Sequence, residues 1–521
     1  MTTPDLRSLL RAPEQAPSVP AVSSPAVPSV PAVQDVPAAP AAATAAMPTA
    51  APVMPTMPAS GAAAAPAEVP TTPPAEVPTT PTAEVPTTPT AEVPATPPAE
   101  VPGLPTTAQP GVFSPESARK DVPILHRTVN GQPLVWLDNG ATTQKPRQVI
   151  EAVSAYYSAA NSNIHRGAHT MAREATELYE AGRNAVAQFL GAPSPDTVMF
   201  VRGTTEAINL VAQSWGRGHL GPGDDILVPV LEHHSDIVPW QLIAEETRAR
   251  VVPVPLTPDG DIDQDAYADL LSARTQMVVV SQASNVLGTV PPVREMTALA
   301  HRYGAKVLVD GAQAVAHMPV DVQELGADFY AFSGHKLFAP TGIGALYATP
   351  EAMAEMRPWQ GGGNMIESVS FERTTFAPMP HMMEAGTGHI SGVVGLLAAI
   401  DWLRGFDQQA VAAYEQALMS YAMQAMATVP GLEVIGSAAE RIAVMTFTLA
   451  GHDPASVANW LDKDGIAVRA GHHCAQPALA HYGLESAARA SFALYNTSGE
   501  VDQLVASLRR LQQAGPGAEG A

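Results

Sequence analysis

Proline is the residue that most limits what this chain can fold into. Of the 51 prolines in 521 residues, 28 lie before Asp121. Each one removes a backbone donor and blocks a helix interior. No Phe, Trp or Tyr occurs before Phe113, and the unit AEVPTTPP recurs with small changes from Ala67, Ala75, Ala83, Ala91 and Ala99. Ala, Thr and Val bury too little apolar surface to offset the entropy of ordering such a segment. Residues 1–120 are therefore expected to form a disordered extension with polyproline II bias, a semi-rigid spacer. One patch differs. PDLRSLLRA, residues 4–12, spaces Leu6, Leu9 and Leu10 as one face of a short helix. A helix this short is marginal alone in water, so it is expected to form on a partner.

Charge narrows the partners. The net charge is -22, from 28 basic and 50 acidic residues, which argues against nucleic acid and anionic membrane. No apolar run approaches the roughly 20 residues of a membrane span. The start lacks the pattern of a secretory signal. A cytoplasmic protein is expected.

From about Ile124 the composition becomes globular. The apolar runs DTVMFV, DILVPV, QMVVVS, KVLVD and DFYAFS alternate with amphipathic stretches. That pattern predicts βα units around a mainly parallel sheet. Ligands bind such sheets beyond the carboxyl ends of the strands, and the distinctive residues fall there. Gly203, Thr204 and Thr205 follow the first run and open a helix, an anion-binding arrangement. His233 and His234 follow the second run, Asn285 the third, Asp310 and Gln313 the fourth, and Ser333, His335 and Lys336 the fifth. A lysine for a Schiff base, an acid for a pyridine nitrogen, hydroxyls and free amides for a phosphate, and an imidazole to stack on a ring together suit pyridoxal phosphate. The only cysteine, Cys474, sits in RAGHHCAQP. It excludes an internal disulfide and any multi-cysteine metal site within one chain. A buried structural thiol is the ordinary alternative, but the polar Gly-His-His segment and Pro477 read as a loop, and a neighbouring histidine favours the thiolate.

The motifs LDNGATTQKP, NIHRGAHT, VRGTTEAINLVA, EHHSDIVPWQ, SNVLGT, VLVDGAQ, SGHKL, EAGT and RAGHHCA, in this order, resemble those of the SufS-type cysteine desulfurases. These are class V, fold-type I pyridoxal phosphate enzymes. The resemblance runs from about Val122 to Leu511. It implies a large domain, residues 121–385, with a mainly parallel seven-stranded sheet. A smaller α+β domain, residues 386–513, would carry the catalytic cysteine, with a disordered tail at 514–521. Lys336 would hold the cofactor as a Schiff base, Asp310 would pair with the pyridinium, Gln313 would bond the ring hydroxyl, and His233 would stack on the ring. Thr204, Thr205, Ser333 and His335 would hold the phosphate. Thr387 would reach the phosphate of a neighbouring subunit, which implies a homodimer. Asn285 and Arg489 would hold the substrate carboxylate, with His165 and Arg469 lining the same pocket. Cys474 would accept sulfur from L-cysteine as a persulfide and pass it on, for instance to a SufE-like acceptor. Gly140, Asn364, Gly388 and His389 depart from the usual family pattern. A selenocysteine lyase shares the scaffold, and a non-catalytic cargo or scaffold role for the long tail is the other alternative. The tail also resembles the extensions of desulfurases packaged in encapsulin shells, which would make Leu6, Leu9 and Leu10 candidate anchors.

Overall fold

In a computed structural model, the structure describes residues 113–165 and 167–515. Leu6, Leu9, Leu10 and the octapeptide repeats lie outside the described residues, as do residues 516–521.

Seven strands form the central sheet: β1 (Val198–Val201), β2 (Asp225–Pro229), β3 (Arg250–Val254), β4 (Thr275–Ser281), β5 (Lys306–Asp310), β6 (Phe329–Ser333) and β7 (Gly344–Ala348). Their spatial order is β3-β2-β4-β5-β6-β7-β1. All neighbours are parallel except β7, which runs antiparallel to β6 and β1. The five apolar runs are the strands β1, β2, β4, β5 and β6. The central ones are buried along nearly their whole length, Gln276 and Lys306 being half-buried, so they carry continuous apolar runs and not alternation. Val307, Leu308 and Val309 are fully buried, each worth about 1.5–3 kcal/mol. Strand β3 tolerates Pro253 because it lies at the sheet edge.

Four helices matter for the site: α1 (Thr170–Phe189), α2 (Thr204–Val211), α3 (His234–Thr247) and α4 (Ile390–Arg404). Helix α4 is buried on nearly every face and packs on α1 and on the helix Arg147–Ala155. A second, four-stranded antiparallel sheet follows: β8 (Leu432–Ile435), β9 (Val444–Leu449), β10 (Arg469–Gly471) and β11 (Ala487–Ser491), in the order β8-β9-β11-β10.

The expected boundary at residue 120 is too late. Phe113 packs its ring against Phe406 at 5.7 Å and Tyr414 at 5.4 Å. Pro115–Arg119 is helical, and Arg119 reaches Glu500 at 2.8 Å. The Phe113 ring and the Arg119 ion pair bind this segment to the body. At the other end the helix Ser498–Ala514 runs one residue past the expected limit. Among the described residues, no helix is long and apolar enough to cross a membrane.

Candidate active site

The strand register fixes the floor of the site. Asp310 ends β5 level with Ser281 of β4 and Ala331 of β6. Beyond these strand ends lies a cavity of about 470 Å³. It brings together every candidate site residue within the described part of the chain except His165 and Thr387.

At one end, Gly203 leads into α2. A Cβ there would lie 3.0 Å from Ser333 Oγ, so only glycine leaves the approach open. The Thr204 amide donates to Ser333 Oγ at 2.8 Å, and the two hydroxyls are also 2.8 Å apart. Thr205 and His335 complete this wall. Burial first, then Lys336, pushes the His335 imidazole down to about 4, so it is neutral. Free helix amides, hydroxyls and a neutral imidazole suit a phosphate.

At the floor, Lys336 lies in the turn Gly334–Lys336 after β6. Burial pulls its ammonium below the usual lysine range, while Asp310 opposes the shift. Asp310 Oδ1 accepts from the Ala312 amide at 2.7 Å. Gln313 is anchored by donating to Gly140 O at 2.8 Å. His233 caps α3, accepting from the Ser235 amide at 3.0 Å. Burial, then Lys336, pushes it down to about 3, so a neutral ring faces the cavity.

The opposite wall is cationic. Arg489 is buried, donates to Asn285 O at 2.7 Å and to Asp138 Oδ1 at 3.3 Å, and leaves Nε without a partner. Burial lowers its guanidinium to about 10. Arg469 holds the same Asp138 at 2.8 Å. A buried donor without a partner beside a second guanidinium suits a carboxylate. Asp138, in the LDNGATT motif, was not singled out by the sequence. Its signal was the quoted motif, but its role needs two arginines more than 300 positions away. A Cβ on Gly140 would come 3.2 Å from Arg489, so the glycine at this position gives the guanidinium room.

Cys474 is exposed at the mouth. His473 and Cys474 both sit in the left-handed region, at φ 53° and 55°, which holds the loop in a turn and points the thiol out of the core. Asn285 fixes that loop by donating to His473 O at 2.6 Å.

His165, expected to line the substrate pocket, is not among the residues lining this cavity within the single chain; its ring bonds Glu180 of α1 at 3.1 Å and Asn364 at 3.3 Å. Thr387 lines a separate cavity with Arg202, Glu206 and Gly388.

The sequence also missed an acid cluster beneath Asp310. Asp236 and Glu232 are fully buried. Glu232 accepts from the Ser281 amide at 3.0 Å and from its hydroxyl. Neither oxygen of Asp236 receives a bond from any ordinary donor. The group it meets is the Asp310 carboxyl, another acceptor, so the two are joined only when one keeps a proton. Burial, then Asp310 and Glu232, raises Asp236 well above the carboxylate range; burial raises Asp310 too, but the Lys336 ammonium and the Ala312 amide oppose that shift. Asp236 is the protonated partner. The unfolded chain loses this proton near pH 4 and the folded one keeps it, so stability falls as pH rises above about 4. Asp236→Asn keeps a neutral donor and removes that slope. It is expected to raise stability by about 1–3 kcal/mol at pH 8 and to change little at pH 4. Urea unfolding of both forms at the two pH values measures this, and parallel pH slopes would place the proton elsewhere.

Together the cavity fits pyridoxal phosphate: a hydroxyl–amide cradle, a lysine after a strand, and a buried acid cluster that calls for a cationic ring nitrogen. A sheet of this order with this donor set defines a pyridoxal phosphate enzyme scaffold. The aminotransferase class-V family model matches residues 135–504, and the chain belongs to that family. Pyridoxal phosphate is the cofactor of its members. The chain is 52% identical over 400 residues to the cysteine desulfurase of Synechococcus elongatus, covering 77% of this chain and 64% of that one. It is 50% identical over 402 residues to that of Klebsiella pneumoniae, covering 77% and 99%. The crystal structure of the cysteine desulfurase CsdA from Escherichia coli superposes with a TM-score of 0.73 at 41% identity, over 78% of this chain and all of that one. The chain spans 59%, 66% and 64% of the length of three of the curated relatives it matches.

Proposed function

We propose that the protein is a cysteine desulfurase, converting L-cysteine to L-alanine and retaining the sulfur as a persulfide. The observation that carries this reading is the shared cavity of Lys336, Asp310 and Cys474, supported by the desulfurase relatives at about 50% identity. Lys336, Asp310, Gln313 and His233 would hold the ring of pyridoxal phosphate, and Thr204, Thr205, Ser333 and His335 its phosphate. The cofactor supplies an electron sink for bond changes at the substrate carbons. Arg489, with Arg469 and Asn285 beside it, receives the substrate carboxylate and so points the thiol toward the mouth. Lys336 Nζ, its pKa lowered, is suited to take the Cα proton. Cys474 Sγ attacks the substrate sulfur. A sulfur–sulfur bond forms, the carbon–sulfur bond breaks, and alanine leaves with the electron pair that bound the sulfur and a proton from the site.

The test is stoichiometric. Purified cofactor-loaded protein given L-cysteine and a reductant should release alanine and sulfide in equal amounts. A selenocysteine arm discriminates the lyase alternative. Preferential turnover of selenocysteine that survives Cys474→Ala would displace the desulfurase reading.

Three further readings belong here. A homodimer accounts for Thr387 lying in a separate cavity, next to Gly388 and His389. Sulfur would leave Cys474 for an acceptor protein, SufE-like in kind, in the cytoplasm. The N-terminal extension would load the enzyme into an encapsulin shell through Leu6, Leu9 and Leu10, with the proline-rich repeats as tether. Roughly 100 residues at up to about 3.1 Å each give that tether a long reach. Co-expression with a shell protein should load the full chain and leave a chain beginning at Gly111 outside with its activity intact. Equal loading of both forms would remove the cargo reading.

A further inference from the structure

Cys474 has company from a second loop. His234, His472 and Cys474 offer ligand atoms that all lie within 4.8 Å of one another. His234 opens α3, where it follows β2, whereas His472 and Cys474 belong to the loop after β10. The two loops are tied by backbone bonds. His234 N–H donates to Cys474 O at 2.8 Å, and Gln476 N–H donates to His234 Nε2 at 3.2 Å. Cys474 N–H donates to His472 Nδ1 at 3.1 Å. The imidazoles of His234 and His472 lie 5.4 Å apart between centroids.

We propose that His234, His472 and Cys474 form a three-ligand site for a thiophilic divalent cation, zinc foremost, that reversibly caps the thiol. Two imidazoles and one thiolate are a borderline-soft donor set of the kind zinc takes. Bonds of about 2.0–2.1 Å to nitrogen and 2.3 Å to sulfur put tetrahedral ligand atoms roughly 3.3–3.6 Å apart. The observed spread therefore closes by little more than an ångström, which side-chain rotation at an exposed mouth supplies. Binding exchanges two N–H···N contacts with the loop's own amides for metal–nitrogen bonds. The thiol proton goes to solvent, and no electron is transferred. Three protein ligands leave the fourth position for water or for an incoming thiolate, as in open zinc sites.

The consequence is regulatory. A metal-bound sulfur is not free to attack, so the ion would hold the enzyme idle until a chelating or thiol-bearing acceptor removes it. The other grouping of this kind among the described residues is His165, Glu180 and His381. There Glu180 is already committed to Arg183 at 2.9 Å, so its charge is compensated and it is the weaker candidate.

Cobalt(II) titration of the cofactor-loaded full-length protein, followed by difference spectroscopy, reads the site without turnover. One equivalent per chain should produce a thiolate-to-cobalt charge-transfer band that zinc abolishes by displacement. Cys474→Ala should lose the band. His234→Ala and His472→Ala should each weaken binding at least tenfold, because each removes a direct ligand. His381→Ala should leave affinity unchanged. One equivalent of zinc should stop alanine release, and EDTA should restore it. Thermal melts of the variants, all at exposed or half-exposed positions, check that each is folded. The proposal is overturned if both histidine variants bind cobalt like the parent, if binding is lost in His381→Ala instead, or if no charge-transfer band forms.

Discussion

Lys336→Ala is expected to lower alanine release by about 10²–10⁴-fold, the usual worth of a positioned acid–base group, and to remove the covalent tie to the cofactor. Cys474→Ala is expected to lose turnover on a similar scale for a different reason. It should keep the visible absorption of the bound cofactor, because Lys336, Asp310 and the cradle around Ser333 are untouched, and fail to form a persulfide. The pair separates two jobs that share one cavity. Absorbance reads the first and mass spectrometry of the trapped persulfide reads the second. Should Cys474→Ala release alanine from cysteine at the parental rate, the nucleophile assignment is wrong whatever happens at Lys336.

The parts of this site that the sequence discloses are those set by local chain geometry. Asp310, Ser333 and Lys336 follow apolar runs directly, and the end of a buried strand is a place on the sheet that can be counted from sequence. The strands β3 and β7 escape the same reading. RVVPV carries a proline that is tolerable only at a sheet edge, and GALYA is mostly small residues whose burial depends on neighbours far along the chain. What no local pattern could supply is convergence between segments. Asp138 bridges Arg469 and Arg489 because the segment after Trp136 lies against β11, with Asp138 beside Ser491. Asp236 reads as a first-turn acid of α3, favourable to the helix dipole, yet it is fully buried against Asp310. His234 reads as the second histidine of a motif and becomes a neighbour of Cys474 only through the loop bonds across 240 positions. His165 likewise takes its partners from afar, pairing with Glu180 and with Asn364, 199 positions along the chain.

Loss of the buried pair Arg183–Glu384 should be the largest effect on stability. Strand β1 lies at the sheet edge, where unpaired backbone groups need cover. Arg183 donates to Val198 O at 2.8 Å, and Glu384 accepts from the Phe200 amide at 2.7 Å. The two side chains meet in a bidentate pair at 2.6 and 3.0 Å, with 2% and 5% of their surface exposed. Arg183→Ala strands the Glu384 charge and the Val198 carbonyl in the interior and should cost about 3–5 kcal/mol. Glu384→Ala strands the Phe200 amide but leaves Arg183 its bond to Glu180 at 2.9 Å, so it should cost less, about 1–3 kcal/mol. Replacing both with glutamine leaves neutral groups able to reach Val198 O and the Phe200 amide. The double variant should therefore be more stable than either alanine variant. The pH sign follows from the carboxylate. Burial opposes its ionisation, but His381 at 3.8 Å and Arg183 hold it below the usual range. A depressed acid contributes stability above the ordinary carboxylate pKa of about 4.3, and that contribution is lost as pH falls through the lower folded value. Denaturant unfolding between neutral and acid pH should show the parent losing this share below about pH 4, while the double glutamine variant does not. A double variant as unstable as the sum of the two singles would mean that the pair is not coupled and that β1 is held by something else.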